Sequence, residues 1–362
     1  MKASWFKRYL LPGVVFQSAV IAGGYGTGRE IVEFFLSLGP VPGLAAMAVS
    51  TLMISLVSAA TFEFARRFKT YEYRGFFKQL LGPAWGLFEL VYVLLLFLVL
   101  AVIGAAAGSI AEETFGLPYA LGVIVALGAV GALLFYGSPA IERAMAWWSL
   151  ALYAVYAILL VWSLTRFGPQ IGETLAASTI EGPWVLNGIR YAGYNLSAAA
   201  VALFVVRHLE TRKEAVSAGL LTGLLGMLPA FLFYLAMVAH YPAITEETVP
   251  SNLMLEALGS RTFQVVFQII LFGTLIETGT GMIHAVNERL AATWSDRGQA
   301  LPTWARPAVG GGFLAIALSL TPLGLVGLIA AGYGTITWGF VAFYMVPVLT
   351  LGVWKVRGSE TG

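Results

Sequence analysis

The sequence predicts an all-α polytopic membrane protein, and its composition and hydropathy pattern carry that prediction. Hydrophobic residues make up 59% of the 362 residues, and charged residues make up only 11%. Soluble domains carry about 25% charged residues, so a soluble core in a polar shell is excluded. The apolar residues are gathered into segments long enough for helices that cross the roughly 30 Å hydrocarbon core of a bilayer.

Ten such segments occur along the chain, and each predicts one membrane-spanning helix. The predicted spans 1 to 10 are residues 9–38, 44–62, 84–107, 119–136, 145–164, 184–206, 215–239, 262–290, 307–320 and 326–354. Residues 71–81 predict a short amphipathic helix on the inner surface. Residues 245–258 are polar enough to form a cap on the outer side.

The distribution of lysine and arginine predicts the orientation of these spans. With the N-terminus inside, the inner loops and the termini collect most basic residues, such as Arg66, Arg67 and Lys69. The outer loops then hold only Arg166 and Arg261. The positive-inside rule therefore predicts a multi-pass protein with both termini cytoplasmic. The expected location is a bacterial-type inner (plasma) membrane.

Span 1 contains the run Ala22-Gly23-Gly24-Tyr25-Gly26-Thr27-Gly28-Arg29-Glu30. Glycine is a poor helix former and ionised side chains are costly inside a membrane, so the helix is expected to break here. Non-helical backbone at this depth is tolerated where protein or a water-filled cavity satisfies it, and discontinuous helices line the sites of secondary transporters. The alternative is that the glycines only permit tight helix packing.

Span 6 carries a second polar run, Ile189-Arg190-Tyr191-Ala192-Gly193-Tyr194-Asn195. The tripeptides Gly24-Tyr25-Gly26 and Gly193-Tyr194-Asn195 occupy the same place in two halves of five spans that enter the membrane from opposite sides. This predicts an inverted repeat, with residues 1–170 as the first half and residues 171–362 as the second. A third tripeptide, Gly332-Tyr333-Gly334 in span 10, has no partner in that scheme.

Ten helices with breaks in the first and sixth resemble the leucine-transporter (LeuT) fold of the amino acid, polyamine and organocation transporter superfamily. Within it, Gly24-x-Gly26-x-Gly28-x-Glu30-Ile31-x-x-Phe34-Phe35 is similar to the first-helix signature of YkvI-like membrane proteins. The stretches Tyr191-x-x-Tyr194-Asn195, Glu277-Thr278-Gly279-x-Gly281 and Asn287-Glu288-Arg289 resemble that family as well. The resemblance implies transport of a small solute. The Asp-Pro-Gly element of divalent-metal transporters of this fold is absent, so a metal ion is not expected as cargo.

The two breaks predict the substrate site. Glycines let the backbone approach a ligand, and a half-helix that begins near Gly28 offers free N–H groups to a carboxylate. Tyrosine rings can enclose a solute while their hydroxyls fix its polar end. The candidate substrate-binding residues are Gly23, Gly24, Tyr25, Gly26, Thr27, Gly28, Tyr191, Gly193, Tyr194 and Asn195.

Four charged residues beside the breaks, Arg29, Glu30, Glu33 and Arg190, predict an outer vestibule or gate. The resemblance supports this, because sodium-coupled relatives place an arginine just beyond the break of helix 1. The alternative is a structural ion-pair network, in which Arg29 and Glu33 pair at i,i+4 spacing. The two arginines also leave room for an acidic substrate.

Span 8 is the candidate for ion or proton coupling. The resemblance implies a sodium site between helices 1 and 8, which places ligands at Ala22, Thr274, Glu277 and Thr278. The carboxyl of Glu277 can instead exchange a proton, or pair with an arginine as a structural element. His284, seven residues further along, either relays protons or only packs. No cofactor other than a possible sodium ion is expected.

The function predicted from these features is secondary active transport of an amino acid or related small carboxylate by alternating access, coupled to sodium or protons. Spans 1, 2, 6 and 7 would rock against spans 3, 4, 8 and 9. An uncoupled exchanger or facilitator and a ligand-sensing subunit like those of germinant receptors are the alternatives. An enzyme is not expected, since the chain has no cysteine and no convincing nucleophile and base. The expected partners are a small-molecule substrate and the lipid bilayer, not nucleic acid, and both monomer and homodimer stay open.

Overall fold

A computed structural model of the chain describes the backbone of residues 4–21, 23–136, 138–295, 302 and 304–358. Side chains are described for these residues except at 23, 134–136, 138–147, 149–150, 288–289, 292–293 and 295. The described part is helical and contains no β-strand.

Among the described residues, the first half of the chain forms nine α-helices. Span 1 becomes a series of four short helices, which are α1 (Trp5–Tyr9), α2 (Leu11–Val20), α3 (Gly23–Thr27) and α4 (Arg29–Phe34). The helices that follow are α5 (Pro40–Phe68), α6 (Tyr73–Leu81), α7 (Trp85–Phe115), α8 (Tyr119–Tyr136) and α9 (Ser138–Ala176).

The second half begins with three helices that correspond to span 6, which are α10 (Trp184–Asn195), α11 (Ser197–Val201) and α12 (Leu203–Val206). The next helices are α13 (Arg212–Val238), α14 (Pro250–Leu258), α15 (Arg261–Ser295) and α16 (Ala305–Leu320). Span 10 becomes α17 (Gly324–Gly327), α18 (Gly334–Phe340) and α19 (Val353–Gly358), joined by π-helical turns at Leu328–Tyr333, Val341–Met345 and Val348–Gly352.

The predicted all-α architecture of ten spans is confirmed, because each span is matched by a helix or a series of short helices. Six helical stretches of the described residues are long and apolar enough to cross a membrane. The predicted amphipathic segment is α6, which buries Phe76, Phe77 and Leu80 on one side. One boundary is wrong: α9 continues past residue 170 to Ala176, so the predicted division between the halves falls inside a helix.

The helices pack as two groups. One contains α2, α5, α10 and α13, and the other contains α7, α8, α15 and α16. Small residues allow the close approach within each group. A Cβ at Gly219 of α13 would overlap the backbone of Ala59 in α5, and a Cβ at Gly122 of α8 would overlap Ala107 of α7. The packing thus follows the predicted division between spans 1, 2, 6 and 7 and spans 3, 4, 8 and 9.

Charged residues join one end of the first group to the start of the chain. Thr211 caps α13 in a capping box, accepting the Glu214 N–H while the Glu214 carboxylate accepts the Thr211 N–H. The same carboxylate pairs with Arg8 of α1 at 2.7 Å. Arg66 of α5 donates to the Glu210 carbonyl at 3.2 Å. The start of the chain is therefore attached to the α5 and α13 pair.

Candidate functional site

The break in helix 1 occurs in two steps. The chain leaves α2 at Ile21, whose ψ of 84° lies outside the helical region, and Ala22 falls outside the described residues. After the single turn of α3, Gly28 adopts a φ of 85°, a left-handed conformation that favours glycine. The chain then resumes as α4. A helix break in the glycine run is what the sequence predicted.

Side chains satisfy the backbone of the break. The Tyr156 hydroxyl of α9 donates to the Gly26 carbonyl at 2.5 Å, and the Thr27 hydroxyl donates to the Gly24 carbonyl at 2.9 Å. The Thr27 hydroxyl also accepts the Arg29 N–H at 3.3 Å, which satisfies the first N–H of the six-residue helix α4. This hydrogen bond uses one of the N–H groups that the sequence offered to a substrate.

Gly26 also makes a packing contact. A Cβ at this position would overlap the side chain of Leu271 in α15. The two readings of the glycine run, backbone break and close packing, therefore both apply, to different glycines.

Helix 6 is discontinuous, as the sequence predicted, because α10 ends at Asn195 and is followed by the short helices α11 and α12. It is interrupted at Leu196 and Ala202, yet both residues keep right-handed helical torsions. Leu196 has a φ of −62° and a ψ of −17°, and Ala202 has a φ of −74° and a ψ of −7°. Gly193 lies against Thr337 of α18, and the Asn195 amide donates to the Tyr191 carbonyl at 3.0 Å. Helix 6 is locally adjusted rather than unwound, because these polar residues are used within the helix and against α18.

Buried tyrosines connect helix 1, helix 6 and helix 10. Tyr25, Tyr191 and Tyr194 are all buried, and the ring of Tyr194 stacks on Tyr333 with 4.6 Å between ring centroids. The ring centroid of Phe34 in α4 lies 5.7 Å from that of Tyr191 and 5.5 Å from that of Tyr194. We call these five residues the aromatic cluster.

Two hydroxyls of the aromatic cluster have unused hydrogen-bonding capacity. The hydroxyls of Tyr25 and Tyr191 are buried and have no hydrogen-bond partner among the described residues. Most buried polar atoms in proteins do have one. These two hydroxyls are therefore positioned to bind the polar part of a ligand.

Phe34 and Tyr333 are the two members of the cluster that sequence reasoning did not select as site residues. Tyr333 belongs to the third tripeptide, Gly332-Tyr333-Gly334, which had no role in the inverted-repeat scheme. The repeated Gly-Tyr-Gly pattern was the signal that could have identified it. The side chain is buried in a π-helical turn, a feature often found at functional sites.

The four residues predicted to form one gate fall into separate surroundings. Glu30 is only 2% exposed, and its carboxylate accepts the Tyr194 hydroxyl at 2.7 Å. Arg29 is turned away from the aromatic cluster and pairs with Glu33 at 2.9 Å. The prediction of one gate is wrong on this point, because consecutive residues of a helix point in directions about 100° apart.

Arg29 instead holds the outer cap. Its guanidinium donates to the carbonyls of Thr245 and Glu247 at 2.9 and 3.0 Å. The cap was expected to be polar, but its inner side buries Val249 and Met254. The cap therefore has an apolar underside that covers the outer side of the helix 1 break.

Arg190 remains beside the aromatic cluster. Its guanidinium carbon lies 5.8 Å from the centroid of the Phe34 ring, and the group also lies against Gly334. Its Nε is buried without a hydrogen-bond partner, and no carboxylate within the described ranges forms an ion pair with it. A guanidinium without a carboxylate partner is suited to bind an anionic group.

The candidate coupling residues of α15 lie on two faces of the helix. Leu271 contacts Gly26 of helix 1. Thr274 lies three residues and Thr278 seven residues after Leu271, so both threonines share the face of α15 that is directed at helix 1. Glu277 follows Gly273 by four residues, and Gly273 packs on Trp148 of α9.

Glu277 is thus directed toward α9, where its carboxyl lies within electrostatic range of Tyr153. The Thr274 hydroxyl donates to the Ile270 carbonyl of its own helix at 3.0 Å. His284 lies about two turns beyond Glu277. No set of three histidine and carboxylate side chains in the described part is placed to hold a metal ion. The sodium site at Ala22, Thr274, Glu277 and Thr278 stays a prediction.

Comparison with known proteins identifies relatives and the fold. The uncharacterized membrane protein YkvI of Bacillus subtilis (strain 168) is 22% identical over 286 residues, which cover 76% of this chain and 79% of YkvI. No protein-family model matches the sequence. The resemblance to YkvI-like proteins is therefore confirmed by this relative, whose name states no activity.

Three solved structures share the architecture. MhsT in complex with L-phenylalanine aligns with a TM-score of 0.60 at 15% identity, covering 98% of both chains. Mhp1, a nucleobase-cation-symport-1 family transporter in a closed conformation with bromovinylhydantoin bound, gives 0.56 at 17% identity, covering 91% of this chain and 74% of Mhp1. The Eremococcus coleocola manganese transporter aligns with a TM-score of 0.57 at 15% identity, covering 96% of this chain and 80% of the transporter chain. These alignments confirm the LeuT fold.

Proposed function

We propose that this LeuT-fold chain, which is similar to YkvI, is a secondary active transporter of an amino acid or related small carboxylate. The solute would bind at the helix 1 break and cross the membrane by alternating access. Movement would be coupled to a sodium or proton gradient.

The observation that carries the proposal is the set of unused polar groups around the aromatic cluster. Arg190 offers a guanidinium without a carboxylate partner, and Tyr25 and Tyr191 offer buried hydroxyls without hydrogen bonds. A substrate carboxylate can accept from the guanidinium, while the hydroxyls bind its other polar atoms. The rings of Phe34 and Tyr333 supply the apolar walls that small-molecule sites require.

The structural neighbours support an organic solute. MhsT was solved with L-phenylalanine and Mhp1 with a substituted hydantoin, whereas the third neighbour is a manganese transporter. A manganese ion requires several carboxylate or imidazole ligands. The aromatic cluster instead contributes rings and hydroxyls, and Arg190 beside it contributes a guanidinium; these groups fit an amino acid better than a metal ion.

The packing of the helices supports alternating access. The α2, α5, α10 and α13 group and the α7, α8, α15 and α16 group are each internally close-packed, and the short helix α3 contacts α7 and α15 of the second group. Rocking of one group against the other would change the surroundings of the break and leave each group intact. The coupling ion would act at helix 1 or at α15, where Glu277 is the candidate that the sequence supplies.

Counterflow in proteoliposomes tests the proposal. Vesicles are loaded in parallel with each of the twenty unlabelled L-amino acids or a small dicarboxylate, and entry of the same labelled compound is measured. We expect entry of at least one compound above protein-free vesicles. Arg190→Gln should raise its half-saturation concentration at least tenfold, the cost of one charge-assisted hydrogen bond.

Arg166→Gln is the matched control. Arg166 also lies over a phenylalanine ring, at 5.5 Å from Phe167, but it is on the outer side and donates to the Leu258 carbonyl. The Arg166→Gln variant should therefore leave the half-saturation concentration of the transported compound unchanged. Equal effects of the two variants would refute the role of Arg190. Binding without counterflow for every compound would favour a ligand-sensing subunit, and counterflow without gradient-driven accumulation would favour an exchanger or facilitator.

A further inference from the structure

The carboxyl of Glu30 has no role in the account above. We infer that Glu30 carries the coupled proton, an inference that rests on the proposed transport function. A proton from water on one side converts the Glu30 carboxylate to the neutral acid. The same proton returns to water on the other side when the carboxylate forms again.

Burial without a cation is the first observation. Glu30 is 2% exposed, and the ion pairs recorded in the described part of the chain join Arg8 to Glu214, Arg29 to Glu33, and Arg66 to Glu63. Glu30 is in none of them. An ionised carboxylate that is buried without a cation is very unfavourable, whereas the protonated acid is readily accommodated. In this buried arrangement the protonated acid is therefore favoured.

The groups that face Glu30 from its neighbouring elements are neutral. Tyrosines surround it from α3, from α10 and from the π-helical turn before α18, and these are Tyr25, Tyr191, Tyr194 and Tyr333. From α13, the Tyr234 hydroxyl is engaged elsewhere, since it donates to the Pro40 carbonyl at 2.7 Å. Tyrosine is uncharged near pH 7.

The two nearby arginines are both directed elsewhere. Arg29 of the same helix is directed outward to Glu33 and to the carbonyls of the outer cap. Arg190 lies on Phe34 and Gly334 and is not paired with Glu30. Among these groups, the Glu30 carboxyl is thus the one available to take up and release a proton.

The immediate surroundings favour a proton over a metal cation. One carboxyl oxygen of Glu30 accepts the Tyr194 hydroxyl, and the other lies against the α-carbon of Gly24, where a Cβ would collide with it. The rings of Phe34 and Tyr333 are close by through their contacts with Tyr194. Hard cations require about six oxygen ligands, and aromatic rings supply none. A proton needs only the carboxyl oxygen itself.

Charge balance links the proton to the substrate. A substrate carboxylate on Arg190 neutralises the guanidinium, and a protonated Glu30 adds no charge. With both bound, these two groups carry no uncompensated charge when the cluster is closed. With a bound substrate that carries a carboxylate and no cation, the ionised Glu30 would have to be buried as well, which disfavours closure. Coupling follows, because substrate and proton then cross together.

Glu30 also connects the elements that would have to move. Its hydrogen bond to Tyr194 joins α4 of helix 1 to α10 of helix 6. Ionisation requires water to reach the carboxyl, so release of the proton is favoured only when the cluster opens on one side. Tyr194→Phe should therefore weaken coupling less than loss of the carboxyl itself.

The test combines infrared spectroscopy with transport. Infrared difference spectra of the protein in lipid vesicles, recorded across neutral pH without any substrate, should show a protonated carboxyl band that is lost in Glu30→Gln. The matched control is Glu33→Gln, which removes the neighbouring carboxylate on the outer side and should retain the band. A band that persists in Glu30→Gln, or no such band in the wild type, would overturn the inference.

Transport gives the second result. With the compound found by counterflow, an inward proton gradient should drive accumulation by the wild type and by Glu33→Gln. Glu30→Gln should lose accumulation but retain counterflow. Accumulation by Glu30→Gln at the wild-type level would overturn the inference. Accumulation by the wild type that is driven by a sodium gradient alone would overturn it as well. If no compound shows counterflow, the proposed transport function fails by itself, and the infrared result still decides whether Glu30 holds a proton.

Discussion

The contact between Arg29 and the outer cap can be tested by substitution with methionine. Arg29→Met keeps a side chain of similar length but removes the hydrogen bonds to Thr245 and Glu247, at 2.9 and 3.0 Å. Arg29 is 6% exposed, so little of this energy is recovered by hydration. A hydrogen bond from a charged group contributes about 1.5–3 kcal/mol, so two contribute about 3 kcal/mol at the lower bound. Opening of the cap should then become on the order of 100-fold more favourable.

Labelling of a single cysteine measures that opening. The chain contains no cysteine, so Ser251→Cys in α14, at a position that is 0% exposed, introduces a unique thiol beneath the cap. Its rate of reaction with a membrane-impermeant maleimide should rise on the order of 100-fold in the Arg29→Met background. The control Glu33→Gln removes only an i,i+4 pair worth about 0.3–0.5 kcal/mol, so it should raise the rate about twofold. Equal rates in the Arg29→Met and parent backgrounds would refute the reasoning.

Three further predictions concern stability in detergent. Thr211→Ala removes the cap of α13 and should lower the free energy of unfolding by about 1 kcal/mol, measured by thermal denaturation. Gly219→Ala places a Cβ on the backbone of Ala59 and should cost about 1–3 kcal/mol, whereas Gly311→Ala, with no neighbouring atom within 4 Å, should cost nothing. Burial lowers the pKa of His240 in the outer loop, so the unfolded chain binds a proton more readily than the folded protein. Stability should fall as the pH drops below about 6.5, and His240→Phe should reduce that loss in thermal melts.

Hydropathy predicted the spans because crossing a bilayer requires a fixed length of apolar chain. The fourth span, residues 119–136, has the same bounds in the structure. The fifth does not, since α9 continues to Ala176. Helical hydrogen bonding can continue beyond the bilayer into sequence that hydropathy does not mark, so the predicted boundary between the halves was misplaced.

Glycine patterns predicted the breaks of helix 1 and helix 6, but the glycines at the two breaks have different physical reasons. Gly28 needs a positive φ, and this need appears in the sequence as glycine next to charged residues. Gly193 is glycine for another reason, because Thr337 of α18 occupies the space of a Cβ. The sequence alone does not separate these causes, since the second depends on a helix more than 140 residues away.

The charged residues show the same limit. The i,i+4 spacing correctly predicted the pair between Arg29 and Glu33, because helix geometry alone places them together. The separation of Glu30 from Arg29 was missed. It depends on which face of α4 is directed at helix 6, and only tertiary packing decides that.

Uptake driven by imposed gradients tests the central claim most directly. Proteoliposomes containing the wild type, Glu277→Gln or Glu30→Gln receive a labelled amino acid or small carboxylate under separate sodium and proton gradients. The account predicts accumulation by the wild type above equilibrium, driven by one gradient and abolished when that gradient is collapsed. Saturable binding without accumulation or exchange under every gradient would contradict it and identify the chain as a sensor of solutes rather than a transporter.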